Sequence, residues 1–453
     1  MKQAISYRDN SGFVVVKDRA VSRYVSHSYA AQYNKLMQSG LYDYLVRKGL
    51  LIPHTEAILT PEEQADHYRI LIPEFITCIS YPYEWTAAQW KQVVLKFLEI
   101  NLAGIKYGMI LKDATPFNFS FHHGKAIFID TLSFELYNEG DAWIAYRQFC
   151  ESMLGPLALA KFNSDGWTKL LVGSVNGWDL PFISRNLRRR SWLDATALIH
   201  IHWHARYNQR PARLQRQSNT FSSQKLEMLW SMMHRNVLRW MIHGNKRQWL
   251  NYYEAGIESI DYLHDKTDRI DSLFKSIRPT RVVDLGANTG RFSLLAAQYA
   301  EEVIAVESDQ ASLQLLQEKA EQQRFENITA ILADIAEPTP AVGWGNAERV
   351  SLLNRLHGDM VLTLALVHHL CISRNIPMAF IANLVAGMTA GYAIVEFVPK
   401  SDMRVKQMLY NKPDIFDDYT EQHFVDQFSN FFELIESYTL NASNRKLFVW
   451  RKK

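Results

Sequence analysis

Cysteine is scarce in this chain: Cys78, Cys150 and Cys371 are the only three among 453 residues. They are odd in number and far apart, which excludes a disulfide framework and a clustered-thiolate zinc site and fits a reducing compartment. An excess of one charge is also lacking. A formal net charge of +3 creates no overall field that would by itself draw the chain to nucleic acid. No stretch approaches the roughly 20 apolar residues of a membrane-spanning helix. The opening "MKQAISYRDNSG" has no apolar core of a secretory signal. A cytoplasmic location is therefore expected. Internal repeats and low-complexity tracts are missing too, which excludes solenoids and disordered arrays. With 47% hydrophobic and 21% charged residues, the composition is that of a globular protein long enough for two or three cores.

The first part of the chain mixes strand and helix signals. "GFVVVKDRAVSRYVS" reads as strand, turn, strand, with "KDRA" at the turn. "YAAQYNKLMQSGLYDYLVRKG" reads as helical, interrupted near Ser39-Gly40, and "HYRILIPEFITCISYPYEW" as β-rich and broken by Pro73 and Pro82. In "AAQWKQVVLKFLEINLAGIKYG", Val94, Leu98, Leu102 and Ile105 recur near helical spacing. Next comes "LKDATPFNFSFHHGKAIFID". It places Asp113, Asn118 and Asp130 in close succession, with Asp130 at the tip of the apolar run Ala126 to Ile129. From there to about Tyr253 the pattern is mostly helical. Arg185 to Arg216 holds eight arginines against one acid, Asp194. This is either a solvated or packing face or a contact for an anionic partner such as RNA, phospholipid or a phosphorylated glycan. His200, His202 and His204 would share one side of a strand but scatter on a helix, and no acidic or cysteine neighbour completes a metal set.

From Arg278 the pattern becomes an alternation of strands and helices: "TRVVDLG", "GRFSLLAAQYAEE", "VIAVES", "ASLQLLQEKAEQQRF", "ITAILAD", "DMVLTLAL", "PMAFIANLVAGM" and "GYAIVEFV". "FFELIESYTL" and "RKLFVWRKK" close it as a strand pair. Repeated βα units predict a parallel sheet covered on both faces, with ligands at the carboxyl ends of its strands. "VVDLGANTGRFS" ends the first of these strands and opens the first helix. Gly286 would permit the sharp turn, and Gly290 a close backbone approach. Glu307 follows at the interval where dinucleotide folds place a ribose-binding acid, so a nicotinamide enzyme competes. Against it, the spacing is G-x-x-x-G, and Asp284 before the turn would repel phosphate but suit a cationic amino-acid group.

On these ordered motifs, residues 251–453 resemble the class I S-adenosylmethionine methyltransferases. The resemblance implies a Rossmann-like α/β domain, a mostly parallel sheet with an antiparallel last strand. It also implies that Asp284, Gly286, Asn288 and Gly290 line the methionine part of the cofactor. Glu307 would take the ribose hydroxyls and Asp334, ending "AILAD", the adenine amine. Asn288 stands where the family has its middle glycine. "LALVHHL" is similar to the L-H-H ending of small-molecule methyltransferases, which makes His368, His369 and Glu396 candidates for assisting methyl transfer. There is no N-P-P-Y motif of DNA base-amino methylation. Tyr252, Tyr253 and Lys266 precede the first strand and would be placed to form a lid.

"LKDATPFN" matches the kinase catalytic loop H-R-D-x-x-x-x-N at the positions that carry chemistry, and "FIDTLSF" stands where the D-F-G aspartate belongs. The resemblance is to protein kinases and aminoglycoside-phosphotransferase-like enzymes. It implies Asp113 as the residue facing an acceptor hydroxyl and Asn118 and Asp130 as magnesium ligands, with Mg-ATP as a second cofactor. Arg23 in "VSRYV" stands near the place of the nucleotide-binding lysine, and the Gly-rich loop is missing. Through "SYPYEW", "LKDATPFN", "FIDTLSFE" and "VEFVPKSD" the whole chain is similar to bacterial two-domain methyltransferases related to nodulation protein NoeA. The expected organisation is an α+β kinase-like domain over 1–180, an arginine-rich helical extension over 181–250 and the methyltransferase over 251–453. The expected activity is methylation of an oxygen or nitrogen of a glycan, metabolite or peptide, with the first domain phosphorylating or binding that acceptor. An RNA methyltransferase, or a pseudokinase scaffold fused to a methyltransferase, are the alternatives.

Overall fold

β-Branched residues at the start of the chain make a hairpin: β1 (Gly12–Lys17) pairs antiparallel with β2 (Ala20–Val25). The computed structural model describes residues 9–17, 20–163, 165–208, 221–242, 259–410 and 412–453. The chain divides into two compact units, 1–245 with 341–350, and 246–340 with 351–453.

In the first unit, β3 (His54–Glu56) and β4 (Arg69–Pro73) complete an antiparallel sheet in the order β1-β2-β4-β3. Between β2 and β3 lie helices Ala30–Gln38 and Leu41–Arg47, separated by Gly40 at φ +83°, a value that a residue with a Cβ adopts at a cost. The β-rich reading of residues 67–85 holds only for β4. Beyond Pro73 the chain carries no further strand up to a short 3₁₀ turn at Pro82–Glu84. Proline supplies no N–H to a ladder, which is why pairing stops there. Helix Ala87–Gly104, capped by Thr86 and Gln89, is the centre of the core. Three short strands follow: β5 (Met109–Leu111), β6 (Phe119–His122) and β7 (Lys125–Phe128). The last two form a hairpin, and β8 (Phe134–Leu136) returns to pair with β5.

The helical stretch expected as a separate extension packs into this same core. Leu180, Ile183, Ala197, Ile201 and Trp230 share one buried cluster with Phe97, Phe128 and Phe149. Leu180, Ile183, Ile201 and Trp230 supply the apolar bulk that this packing buries.

The second unit is a seven-stranded sheet. β9 (Arg281–Leu285), β10 (Glu302–Glu307), β11 (Ile328–Leu332), β12 (Gly358–Thr363) and β13 (Thr389–Phe397) run parallel. β14 (Phe432–Thr439) and β15 (Lys446–Lys452) add an antiparallel edge, giving the order β11-β10-β9-β12-β13-β15-β14. The near-continuous apolar runs of β9 to β13 reflect burial on both faces. Helices Arg291–Ala296, Gln310–Gln322 and Met378–Met388 supply crossovers. This is the expected Rossmann-like arrangement. Strand order reverses direction at β9, with β10 on one side and β12 on the other, and such switch points open a crevice at the strand ends. Among the described residues, no helix is long and apolar enough to cross a membrane.

Candidate functional site

At the carboxyl ends of β9, β10, β11 and β12, the loops that leave the strands enclose a cavity of about 350 Å³. Gly286 and Asn288 come from the first loop, Glu307 and Ser308 from the second, Asp334 and Ile335 from the third. Leu364, Leu366, His369, Leu370 and Arg374 come from the fourth. Gly286 has φ +74° and Asn288 φ +49°, so the chain doubles back beneath the cavity. Gly290 (φ +82°) lies behind that wall rather than on it. A Cβ there would sit 2.4 Å from Cγ of Leu316, so glycine is required for helix packing. Ala365, on the cavity wall, holds φ +52°, an unfavourable backbone for alanine of the kind found at functional sites.

The glycine loop uses its own N–H groups. Those of Gly286 and Ala287 both donate to the carbonyl of Val306, at 2.9 and 3.1 Å. The N–H of Asn288 donates to Oε2 of Glu307 at 2.8 Å. The N–H of Thr289 donates to Oδ1 of Asn288 at 2.6 Å, and that of Gly290 to the Ala287 carbonyl at 2.9 Å. A pyrophosphate cradle needs such N–H groups aimed at the ligand. Here all five are spent on partners within the protein, so none of these loop N–H groups is free for a pyrophosphate.

Acidic groups surround it instead. Glu307 also accepts from the N–H of Asp309 at 2.7 Å and the hydroxyl of Ser308 at 3.1 Å. Burial raises its pKa, partly offset by these bonds. Asp284 lies behind Gly286, buried, with Oδ2 accepting from the Ser293 hydroxyl at 2.5 Å. Burial pushes Asp284 up to about 6, helped by the nearby Glu307 and opposed by the Ser293 bond. Among the described residues neither of these buried carboxylates has an ion-pair partner, which suits a ligand that brings positive charge. Asp334 forms an ion pair with Arg374, which also reaches Glu337 at 3.5 Å. No sequence signal marked Arg374; its partner lies 40 residues away.

The structure gives the three residues expected to assist methyl transfer different surroundings, although the rings of His368 and His369 stand 4.3 Å apart. His369 lines the cavity, and burial lowers its pKa to about 4. His368 does not line it. Its ring is buried, neither nitrogen has a hydrogen-bond partner, and its pKa falls well below the usual value, first through burial. Glu396 is fully enclosed in an ion-pair network. Its Oε2 accepts from Nζ of Lys266 at 2.5 Å and its Oε1 from the Tyr262 hydroxyl at 2.5 Å. Arg445 stands 3.8 Å from Oε1 and binds Asp402 through Nε at 2.8 Å. Burial pushes Glu396 up, but Lys266 and Arg445 outweigh it and hold the carboxyl below its usual range. Lys266 is thus a core residue, not part of a lid; Tyr252 and Tyr253 lie outside the described residues.

In the first unit, Asp113, Asn118 and Asp130 do come together. Asn118 Nδ2 lies 3.3 Å from Oδ2 of Asp113 and 3.0 Å from Oγ of Ser133. Ser133 donates to Oδ2 of Asp130 at 2.5 Å. Burial and then Asp130 raise the pKa of Asp113, which Gln148 bonds at 2.5 Å. Asp130 is already neutralised. Arg23 forms an ion pair with its Oδ1, and the N–H of Leu132 donates to the same oxygen at 3.1 Å. A magnesium ion needs open oxygens at about 2.0–2.1 Å. With a guanidinium against that carboxylate, the residues do not fit it.

The histidines of the arginine-rich region are helical, within Leu198–Trp203 and just beyond. His200 bonds Tyr146 at 2.7 Å, His202 lies between Ser184 and Ser191 at 2.8 Å each, and His204 stacks on Tyr146. With their rings spent on these different partners, the three do not converge on a metal site. Arg185 and Arg190 donate to backbone carbonyls and Arg206 covers Trp192. Arg210, Arg213 and Arg216 lie outside the described residues.

Residues 278–347 match a family described as "Methyltransferase domain". The C-terminal unit carries a methyltransferase domain. Over 469 aligned residues the chain is 29% identical to nodulation protein NoeA of Rhizobium meliloti (strain 1021), covering 99% of this chain and 95% of that protein. Two solved structures are similar at low scores. N-methyltransferase NodS of Bradyrhizobium japonicum WM9 has TM-score 0.33 and 10% identity, over 43% of this chain and 98% of that one. Magnesium protoporphyrin IX methyltransferase of Synechocystis PCC 6803, with bound SAH, has TM-score 0.33 and 16% identity, over 45% and 92%.

Proposed function

We propose that the C-terminal unit is an S-adenosylmethionine-dependent methyltransferase acting on an oxygen or nitrogen of a glycan, metabolite or peptide. The observation that carries this is the glycine loop whose N–H groups all turn inward, beside two buried carboxylates. That combination rejects phosphate and favours a cationic nucleoside. When bound, the cofactor supplies an electrophilic methyl carbon on a sulfonium. Glu307 would take the ribose hydroxyls through its remaining lone-pair capacity. Gly286 and Asn288 would border the methionine part, with Asp284 supplying negative charge from behind the loop. Asp334, shared with Arg374, would meet the adenine edge.

The chain's own contribution to the reaction is to orient the acceptor and receive its proton. His369 is neutral at physiological pH and borders the cavity, which makes it the first candidate. Glu396 has its carboxylate filled by Lys266 and Tyr262 and serves to position strand β13. For the first unit we infer acceptor binding at the Asp113–Asn118 cluster, without phosphoryl transfer, because Arg23 occupies the carboxylate that a metal would need. The likeness to NoeA along both units supports reading them as one working protein.

Calorimetric titration of the whole chain with S-adenosylhomocysteine tests the reading. One molecule should bind per chain, and Glu307→Ala should weaken it at least tenfold, equivalent to about 1.4 kcal/mol. Binding of a nicotinamide dinucleotide in its place would overturn it.

A further inference from the structure

We propose that Glu74, His122 and His123 form a binding site for one divalent cation of the zinc class on the first unit. The three residues offer ligand atoms that all lie within 4.8 Å of one another. The ligand set is two imidazole nitrogens and one carboxylate oxygen. That set suits zinc, nickel or copper, whereas magnesium and calcium favour oxygen alone.

The backbone arranges the pair of histidines. In an extended strand, successive side chains point to opposite faces. His122 ends β6 and His123 begins the turn to β7, yet their ring centroids stand 3.9 Å apart on one side. The alternation is undone because His123 takes φ +49°, followed by Gly124 at φ +68°. Two consecutive left-handed residues make the tight turn that suits a two-stranded hairpin. Histidine is among the residues that take this conformation more readily, so the turn sets the pair side by side at little cost.

The third residue faces both rings. Glu74 directly follows β4, and its N–H donates to the Pro53 carbonyl at 2.9 Å, which anchors its backbone. Its Oε1 lies 3.1 Å from Nε2 of His122 and 3.7 Å from Nε2 of His123. In a tetrahedral zinc site with bonds of about 2.0–2.2 Å, neighbouring ligand atoms are roughly 3.3–3.5 Å apart. The two observed separations bracket that edge. The third edge, between the two imidazoles, is within 4.8 Å, and the His123 side chain, 61% exposed, has room to turn towards the ion. Both Glu74 and His123 border solvent, so the fourth position is open to water and the ion exchanges with bulk.

Bound there, the ion joins the tip of the β6–β7 hairpin to the segment after β4. Asn118 lies immediately before β6 and Asp130 shortly after β7, so it would hold the two arms that carry the polar cluster.

The experiment is a zinc titration of the chelator-stripped full chain, competed against a chromophoric chelator, with cobalt absorption read in parallel. The expected result is one equivalent of tight binding with the intense visible band of four-coordinate cobalt. The affinity should fall at least tenfold in His122→Ala and in Glu74→Gln, while His67→Ala, at a histidine of the same unit that belongs to no candidate ligand set, leaves it unchanged. Circular dichroism of each variant checks folding. Absence of saturable binding, or binding unaltered in both His122→Ala and Glu74→Gln, would overturn the proposal.

Discussion

Replacing Lys266 by methionine tests whether Glu396 is structural. The four charged groups, Lys266, Arg445, Glu396 and Asp402, form a neutral set, and the Lys266 and Glu396 side chains are wholly inaccessible to solvent. Methionine keeps most of the side-chain volume but removes the 2.5 Å partner of the carboxylate. Arg445, at 3.8 Å, is committed to Asp402 by two bonds and cannot replace it. Breaking a buried pair from one side costs about 3–5 kcal/mol, because the remaining charge is stranded. At roughly 2–4 °C per kcal/mol for a unit of this size, the melting temperature should fall by about 6–20 °C. The double variant Lys266→Met with Glu396→Leu removes one charge of each sign and leaves Arg445 with Asp402. Such apolar replacement is often close to neutral, so the double variant should recover most of the loss. Urea unfolding of the wild type, both singles and the double closes the cycle. A single-variant loss under about 1 kcal/mol, or a double variant worse than the sum of its parts, would refute the assignment.

Two further outcomes are expected. Because Asp284 titrates at about 6, its carboxyl is mostly protonated at pH 5 and ionised at pH 8. A cationic ligand favours the ionised form, so affinity for S-adenosylmethionine should rise with pH through 6 and level off above it. Asp284→Asn should flatten that rise in calorimetry. Gly290→Ala forces a Cβ against Leu316 at φ +82°. Left-handed backbone plus overpacking should cost roughly 2–4 kcal/mol in urea unfolding.

The second unit was largely legible in the sequence. Its strands are five-to-nine-residue apolar runs closed by turn signals, and their period and length differ from those of the intervening helices. That the glycine loop, Glu307 and Asp334 lie at or just past strand ends was readable, because local sequence marks each turn. Two expectations around them fail: Lys266 is not exposed, and Glu396 does not face the crevice. In both cases a polar residue near a strand would be expected to point to ligand, whereas its side chain points to another charge. In the arginine-rich segment, charge composition likewise says nothing of which guanidiniums reach carbonyls and rings, as those of Arg185, Arg190 and Arg206 do.

The sequence alone determined which segments become strands and where the chain must double back, because those depend on side-chain period and backbone permission within a few residues. Only the tertiary structure decided which charges neutralise which. Arg23 meets Asp130 across 107 residues, Lys266 meets Glu396 across 130, and Arg374 meets Asp334 across 40. A carboxylate is a ligand for metal or cofactor only where no buried cation already holds it. That competition is settled by distances that folding creates and no local spacing records.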